Sequence, residues 1–281
     1  MINILSSLTQ KKIIVPFYHT VAAQPLPHIK HLYRMKTVIE FQNDLDFLLK
    51  HFEPINAETL YHFHIHNITL KRPVFHLTFD DGMTEIYDIV APILLKKGIP
   101  ATFFINSGFV DSKALFYRHK ESLEREGEEN CDKNDRKEDE FLEKNKPYLT
   151  TEQIKELSNQ GFTIGAHSID HPYYNTISLE EQLRQTRESL NFISSIINQK
   201  LRLFAFPFTD FNVSKQFFEE IKPDVDLCFG TAGLKNDVIP FNIQRIAGET
   251  RTFKSLEVIL KKEYLKYLVK FFLKRHTVYH N

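Results

Sequence analysis

A short apolar run that ends on two adjacent carboxylates constrains this chain more than any other feature. Residues 74–79 are mainly β-branched and aromatic, the pattern of a strand buried on both faces, and Asp80, Asp81 and Gly82 follow directly. Two adjacent acids are costly to bury, because like charges repel and raise each other's pKa. A metal, a cationic partner or a shared proton can offset that cost at the end of a strand. Asp-Asp-Gly is also an ordinary turn sequence, so the motif alone leaves a turn and a site both open.

A histidine pair further along the chain favours the site. His167 and His171 follow another strand-like run, residues 162–164, and their i, i+4 spacing can bring both imidazoles to one side. Together with a carboxylate from a neighbouring strand, they would form a two-histidine, one-carboxylate metal site with open coordination positions. The chain has 13 histidines, so such a pair could arise by chance. The combination with Asp80 and Asp81 is what predicts a metal site.

Both motifs resemble those of a known family. Residues 78–82 and 167–171 are similar to the first two signature motifs of the polysaccharide deacetylases, carbohydrate esterase family four, which share the chitooligosaccharide deacetylase homology domain. Residues 204–208 resemble the third motif, and the similarity extends over roughly residues 13 to 250. The resemblance implies an α/β fold, a distorted (β/α)7 barrel similar to a TIM barrel, and hydrolysis of N-acetyl groups on the amino sugars of a glycan or its lipid-linked precursor.

The resemblance also implies a division of roles between the two acids. Asp81, His167 and His171 would hold a divalent metal, and Asp80 would be the base that takes a proton from the attacking water. Zinc is the default for a His/His/Asp set, although cobalt, nickel or iron would fit the same ligands.

Two departures from the family pattern affect the predicted catalytic set. The third motif often carries an arginine two residues before its proline, where this chain has Ala205, and Arg245 at the end of a late strand is predicted to orient Asp80 instead. A late leucine-x-histidine motif is also missing after Phe241, so His19, at the end of the first predicted strand, is the candidate acid for the leaving amine. A histidine that merely caps its strand is the alternative for His19. The departures also leave open an alternative function, a catalytically impaired barrel that binds glycan or scaffolds a pathway.

Four residues are predicted to contact the substrate. Phe206 or Phe208 could pack on a sugar ring, beside Pro207, and a backbone N–H near Phe208 could contact the oxyanion. Ser168 is predicted to be a local hydrogen-bonding or substrate residue rather than a nucleophile.

The length and composition predict one domain, residues 1–281. With 42% hydrophobic residues the chain can bury one sizeable core, and strand and helix patterns alternate along it. Residues 118–146 break this pattern because they are almost wholly charged and polar. Their position after a strand end predicts a lid at the barrel mouth, whereas their composition favours a solvated helical excursion or a partly disordered loop.

The chain is predicted to end in a basic amphipathic helix over residues 254–281, with a net charge of +5. The helix would dock on the barrel with its lysines in water, or adsorb to an anionic membrane near a lipid-linked glycan. Overall, 36 basic residues balance 36 acidic ones, so nothing indicates a nucleic-acid partner.

The remaining signals concern the cellular compartment. Residues 1–8 lack the features of a secretory signal, and no apolar run reaches membrane-spanning length. Two cysteines without metal or redox spacing fit a reducing compartment. The sequence therefore predicts a cytoplasmic protein. Its C-terminal helix is the part that could contact a membrane surface.

Overall fold

A computed structural model describes residues 1–66, 68, 70–126, 136–250 and 254–281. The strands are β1 (Ile13–Ile14), β2 (Pro16–Tyr18), β3 (Glu53–Pro54), β4 (Val74–Phe75), β5 (Leu77–Phe79), β6 (Ala101–Ile105), β7 (Thr163–Ala166), β8 (Leu203–Ala205), β9 (Leu227–Gly230), β10 (Asn236–Asp237), β11 (Asn242–Gln244), β12 (Ile246–Ala247) and β13 (Thr277–Val278). The helices are α1 (Ile2–Thr9), α2 (Val38–His51), α3 (Ala57–Ile65), α4 (Ala91–Lys97), α5 (Tyr117–Glu126), α6 (Arg136–Asn145), α7 (Thr151–Asn159), α8 (Leu179–Ile196), α9 (Lys215–Ile221) and α10 (Leu256–Phe272).

The main sheet is a nearly closed parallel barrel. Within the described residues its strand order is β11-β9-β8-β7-β6-β5-β2-β12, and every pairing is parallel. β11 and β12 are two halves of one strand, separated by Arg245: Asn242 is in register with Cys228 of β9, and Ile246 with Pro16 of β2. Counted as one strand, they give the seven-stranded barrel that the sequence predicts, and the fold class is confirmed.

Helices connect the parallel strands and cover the barrel, because a crossover is needed between parallel neighbours. α4 ends at Gly98, whose φ of +64° is the left-handed C-cap conformation that glycine adopts readily. The interior is unusually aromatic. Fully buried rings fill the barrel and the layer beneath its helices: Phe41, Phe75, Phe79, Phe103, Phe104, Phe204 and Phe206. Each contributes roughly 1.5–3 kcal/mol by leaving water, and together they hold the strand ends in fixed positions.

The charged insertion is partly helical. Residues 117–126 form α5 and residues 136–145 form α6, while residues 127–135, the middle of the predicted insertion, lie outside the described residues. His119 on α5 and Leu142 on α6 are buried. Phe116, directly before α5, contacts the ring of His171 with centroids 4.6 Å apart. The described part of the insertion therefore packs near the barrel mouth, and its role as a lid stays a prediction.

The C-terminal helix is shorter than predicted. α10 ends at Phe272, and Lys274 adopts a left-handed φ of 56°, which turns the chain away from the helix. β13 then pairs with β10 instead of continuing the helix. The β-branched residues Thr277 and Val278 favour that extended conformation. Among the described residues, no helix is both long and apolar enough to cross a lipid bilayer.

Candidate functional site

The predicted catalytic and metal-binding side chains meet at the carboxyl ends of the barrel strands. Asp80 and Asp81 follow β5, His167 follows β7 and His19 follows β2, while Arg245 lies between β11 and β12. In a parallel barrel all strands end at the same mouth, so residues far apart in sequence converge there. All five are buried except His19, whose side chain is 26% exposed.

The turn after β5 depends on unusual backbone conformations. Asp81 has a φ of 69° and Gly82 a φ of 63°. A Cβ on residue 82 would lie 3.2 Å from the side chain of Ile105, so glycine suits both the backbone angle and the space. The left-handed conformation of Asp81 is costly for a residue with a side chain, and such strain tends to be retained at functional sites.

Three potential ligand atoms converge beside this turn. Asp81 Oδ1 lies 3.2 Å from His171 Nε2 and 3.5 Å from His167 Nε2. Asp81 Oδ1 is buried and has no hydrogen-bond partner among the described residues. All three ligand atoms lie within 4.8 Å of one another. A buried, unpaired carboxylate oxygen facing two imidazole nitrogens is the donor set expected for a divalent cation, so these residues fit a metal.

Neighbouring groups fix the two imidazoles. His167 Nδ1 donates to the carbonyl of Ala205 at 2.8 Å, which leaves Nε2 free to face Asp81. The backbone N–H of His171 donates to Ser168 Oγ at 3.0 Å, and Asn106 Nδ2 lies 3.4 Å from the same oxygen. Ser168 thus holds the loop between the histidines.

The ionisation of these groups suits metal binding. Burial disfavours a charged Asp81, but the facing imidazoles of His171 and His167 hold the pKa of the carboxyl well below its usual value. Burial lowers the pKa of His171 and keeps the ring neutral, against the opposing pull of Asp81. An ionised carboxylate and a neutral imidazole are the forms that coordinate a metal.

Arg245 forms a bidentate ion pair with Asp80. Its two terminal nitrogens lie 2.7 and 2.8 Å from the two Asp80 oxygens, and its guanidinium also contacts Thr78 Oγ1 at 3.2 Å and the ring of Phe17 at 4.5 Å. Burial opposes ionisation of Asp80, but the charge and hydrogen bonds of Arg245, assisted by His167 and His19, lower the pKa of the carboxyl. Arg245 therefore occupies the place predicted from the sequence, in contact with Asp80.

His19 forms a second ion pair, at the end of the strand next to that of Asp80. Its Nδ1 lies 2.8 Å from Glu249 Oε2, and its backbone N–H donates to Glu249 Oε1 at 3.2 Å. Burial disfavours the imidazolium, yet the hydrogen bond and charge of Glu249 raise the pKa of His19 to about 9. His19 is thus protonated at neutral pH.

The predicted substrate residues divide between the site and the core. Phe208 is half-buried at the mouth, with its ring 4.5 Å from that of His171, and Pro207 directly precedes it. Phe206 lies elsewhere: its ring is fully buried against Tyr174 and Phe217. On a regular strand residues 206 and 208 would point to the same side, but the φ of 57° at Phe208 breaks the extended conformation and separates the two rings. Phe206 therefore offers no surface to a sugar.

Several residues line the site that the sequence did not predict. Glu249 follows β12, so the strand-end argument used for His19 could have found it. Tyr173 stacks on Phe208 with centroids 3.6 Å apart and is 39% exposed. Tyr33 lies on the ring of His19, with centroids 4.7 Å apart. Neither tyrosine belongs to a motif with spacing that would signal its role.

A second cluster, Asp210, Asp237 and His280, also brings potential ligand atoms together. However, the side-chain amide of Gln244 donates to both carboxylates, and the Ala232 N–H, 2.7 Å from Gln244 Oε1, fixes that orientation. Amide hydrogens therefore point at the acid oxygens, as in a hydrogen-bonded network. We interpret the cluster as an anchor for the C-terminal tail rather than a cation site.

Comparisons with known proteins agree on one family. The polysaccharide deacetylase family profile matches residues 67–220. YxkH of Bacillus subtilis (strain 168), which is named as a polysaccharide deacetylase, is 25% identical over 136 residues, 48% of this chain. The chain spans 37% of the length of that relative.

Solved structures share the fold. IcaB from Ammonifex degensii aligns with a TM-score of 0.64 at 19% identity, over 90% of this chain and 95% of its own. The Streptococcus pyogenes deacetylase PplD, solved in complex with acetate, aligns with a TM-score of 0.61 at 19% identity, over 84% of this chain and 92% of its own.

Proposed function

Because the chain belongs to the polysaccharide deacetylase family, we propose that it hydrolyses N-acetyl groups on the amino sugars of a glycan and releases acetate. One observation carries the proposal: the Asp81, His167 and His171 ligand atoms converge beside Asp80, which Arg245 holds in place. The acetate bound to the structural neighbour PplD fits a product of this reaction.

Asp81, His167 and His171 would hold a divalent metal, with zinc the expected ion for this donor set. When bound, the cation would polarise the acetamide carbonyl and lower the pKa of a water molecule. The chain itself would supply one ionised carboxylate and two imidazoles. The hydrogen bond from His167 to the carbonyl of Ala205 orients the His167 ring.

Asp80 is the proposed general base. It removes a proton from the water as the water oxygen attacks the acetamide carbon. Its lowered pKa keeps it ionised at neutral pH, and the two hydrogen bonds from Arg245 fix both carboxylate oxygens. Arg245 is therefore a positioning residue.

His19 is the proposed general acid. The carbon–nitrogen bond breaks as His19 gives its proton to the leaving amine, and Glu249 keeps the imidazole protonated until then. The backbone N–H of Phe208 could contact the oxyanion, while the Phe208 and Tyr173 rings offer an apolar surface to the sugar. Ser168 and Pro207 support this wall, and a direct sugar contact for either stays a prediction.

The alternative, a catalytically impaired scaffold, rested on the missing motif arginine and the missing late histidine. Arg245 is paired with Asp80 and His19 with Glu249, so the chain offers a candidate for each of the two missing groups. These paired charges support turnover over binding alone.

We also propose that α10 contacts an anionic membrane surface, which would bring the site near a lipid-linked or cell-envelope glycan. The helix buries one face against the barrel and exposes apolar side chains on the opposite face, among them Leu265, Val269 and Phe272. Lys262, Lys266 and Lys270 lie among these positions, as expected for binding to anionic lipid. The predicted cytoplasmic location stays a prediction.

The test compares wild type with His171→Ala for metal content and for acetate release from N-acetylglucosamine oligomers. We expect about one metal ion per wild-type chain, as for a single site of this kind, and loss of both metal and activity in the variant. His66→Ala, at an exposed position ending α3, is the matched control and should keep both. If the wild type bound no metal even after zinc reconstitution, the mechanism would be wrong. Metal without acetate release would support the scaffold alternative.

A further inference from the structure

Tyr33 occupies a position in the site that the proposed mechanism leaves unexplained. It lies in the connection between β2 and α2, and its ring is tilted by 33° over the imidazole of His19 with centroids 4.7 Å apart. One side of Tyr33 therefore covers the proposed acid. It also lines a surface cleft of about 760 Å³, which Arg118 borders as well. Since Arg118 lies over the ring of Phe208, at 5.5 Å, the cleft adjoins the predicted sugar-binding wall.

The Tyr33 hydroxyl is buried and has no hydrogen-bond partner among the described residues. A buried hydroxyl without a partner costs free energy, so such a group requires an explanation. Burial, together with the charges of Glu249 and Asp81, raises the pKa of the Tyr33 hydroxyl well above its usual value. The hydroxyl is therefore neutral and can donate a hydrogen bond.

We propose that Tyr33 binds the substrate by donating its hydroxyl hydrogen to an oxygen of the amino sugar, beside the nitrogen that His19 protonates. This inference rests on the proposed function, because that function supplies the missing acceptor. An N-acetylated sugar carries hydroxyl and ring oxygens on the carbons next to its acetamido group. With the leaving nitrogen at His19, those oxygens would lie near Tyr33, because the Tyr33 and His19 rings are only 4.7 Å apart.

If Tyr33 served only to pack against His19, its ring would be needed and its hydroxyl would not. Phenylalanine would keep the stacking contact, and it would also remove the buried unpaired oxygen. The two interpretations therefore predict opposite results for one substitution, Tyr33→Phe.

The experiment measures kcat/KM for acetate release from N-acetylglucosamine oligomers, together with Tm and the pH profile. In Tyr33→Phe we expect kcat/KM to fall about tenfold, the value of one hydrogen bond to a substrate. Tm should stay the same or rise, because the lost hydroxyl has no partner in the free protein. The alkaline limb of the profile should not move, because the contact between His19 and Glu249 is retained.

Tyr264→Phe is the matched control. Its hydroxyl donates to the carbonyl of Lys11 at 2.9 Å, on α10 and away from the barrel mouth. Removing it should lower Tm and leave kcat/KM unchanged, the reverse of the pattern expected for Tyr33→Phe.

The outcomes separate this proposal from the proposed function. If the wild type is active and the kcat/KM of Tyr33→Phe lies within twofold of the wild-type value, the proposed role of Tyr33 is overturned. The deacetylase function would still stand. If the wild type released no acetate, binding of the same oligomer would be titrated in the presence of EDTA. Binding about tenfold weaker in the variant would support Tyr33 although the hydrolysis had failed. Equal binding by both proteins, or no binding by the wild type, would overturn the proposal.

Discussion

At the residue scale, the partners of each ring nitrogen decide which histidines carry charge. His76 donates from Nδ1 to the carbonyl of Ile55, and its Nε2 can accept from the hydroxyl of Thr102, so the neutral ring satisfies both contacts. Burial accordingly lowers its pKa to about 4. His19 instead faces the carboxylate of Glu249, and that contact makes it an acid at neutral pH. His76 is therefore neutral at neutral pH, whereas His19 is protonated.

The pairing with Glu249 predicts a specific pH dependence. A general acid must be protonated, so wild-type activity should decline as the pH rises through about 9. Glu249→Gln keeps the size of the side chain but removes the charge that raises the pKa of His19. We expect the alkaline limb of kcat/KM to move down by about one pH unit or more.

Kinetics of acetate release across the alkaline range would test this shift. Glu219→Gln, on the exposed surface of α9, is a charge-matched control and should leave the limb in place. An unchanged limb in Glu249→Gln would mean that another group controls it, and the assignment of His19 as the acid would be wrong.

The sequence revealed the residues whose roles are set by short spacing. Asp80 and Asp81 are adjacent, and His167 and His171 are four residues apart, so both motifs are visible without knowledge of the fold. Glu249 contacts His19 across 230 positions of sequence, and the aromatic stack of Tyr33 depends on the path of a loop. Such contacts are determined by how the barrel closes, which local patterns do not encode.

At the scale of elements, α10 is unusual in having two apolar faces. Leu256, Leu260 and Tyr264 are fully buried on one face. Leu265, Val269 and Phe272, on the opposite side, are 54%, 59% and 81% exposed. One apolar face explains docking on the barrel, and the second requires another partner. A second copy of the chain would bring lysines against lysines, whereas an anionic lipid surface complements them.

The exposed face predicts binding to charged vesicles. The full chain should bind vesicles that contain phosphatidylglycerol more tightly than vesicles of phosphatidylcholine alone. The triple substitution Leu265→Ser, Val269→Ser and Phe272→Ser should weaken the binding at least about tenfold, because each apolar side chain contributes roughly 1.5–3 kcal/mol when buried. Co-sedimentation at several salt concentrations measures both effects.

Ile39→Ser is the control for this experiment, since Ile39 is 72% exposed but lies on α2. It should bind vesicles like the wild type. Equal affinity for both kinds of vesicle would contradict the membrane proposal, and a dimer that the triple substitution dissociates would assign this face to a second copy.

The elements differed in how well the sequence predicted them. The strand-like runs over residues 74–79 and 162–164 overlap β4, β5 and β7, because an apolar, β-branched pattern is a local signal. The predicted end of the C-terminal helix was wrong, because the tail leaves α10 to pair with β10, more than 30 residues earlier in the chain. Long-range pairing overrides helical periodicity there.

At the scale of the whole molecule, the strand that closes the barrel also supplies a residue of the site. The last strand changes partner at Arg245, from β9 to β2, and the guanidinium at that junction reaches Asp80. The chain end also packs on the barrel, because β13 pairs with β10 and the carbonyl of Asn281 accepts a hydrogen bond from the Lys215 N–H at 2.7 Å. The tail is therefore part of the packed structure.

His280 holds this tail and makes its contribution to stability depend on pH. Nδ1 lies 3.1 Å from the carbonyl of Val213, and Nε2 lies 3.1 Å from Asp237 Oδ2. Both partners only accept hydrogen bonds, so the doubly protonated ring alone satisfies both. Burial opposes this charge, but Asp237, assisted by Asp210, raises the pKa of His280 above its usual value.

A raised pKa in the folded state fixes the direction of the pH effect. The stabilisation is fully present below the unfolded-state pKa of about 6.5 and is lost as the pH rises through the higher folded-state value. At pH 6, His280→Gln should lower the free energy of unfolding by roughly 1–2 kcal/mol, the scale of a hydrogen bond to a charged group. The difference from wild type should shrink as the pH rises.

Urea unfolding of both proteins from pH 6 to 9, with His66→Gln as the exposed-histidine control, measures the effect. A difference that stayed constant with pH would show that His280 stabilises the tail as a neutral ring, and the charged contact with Asp237 would lose its role.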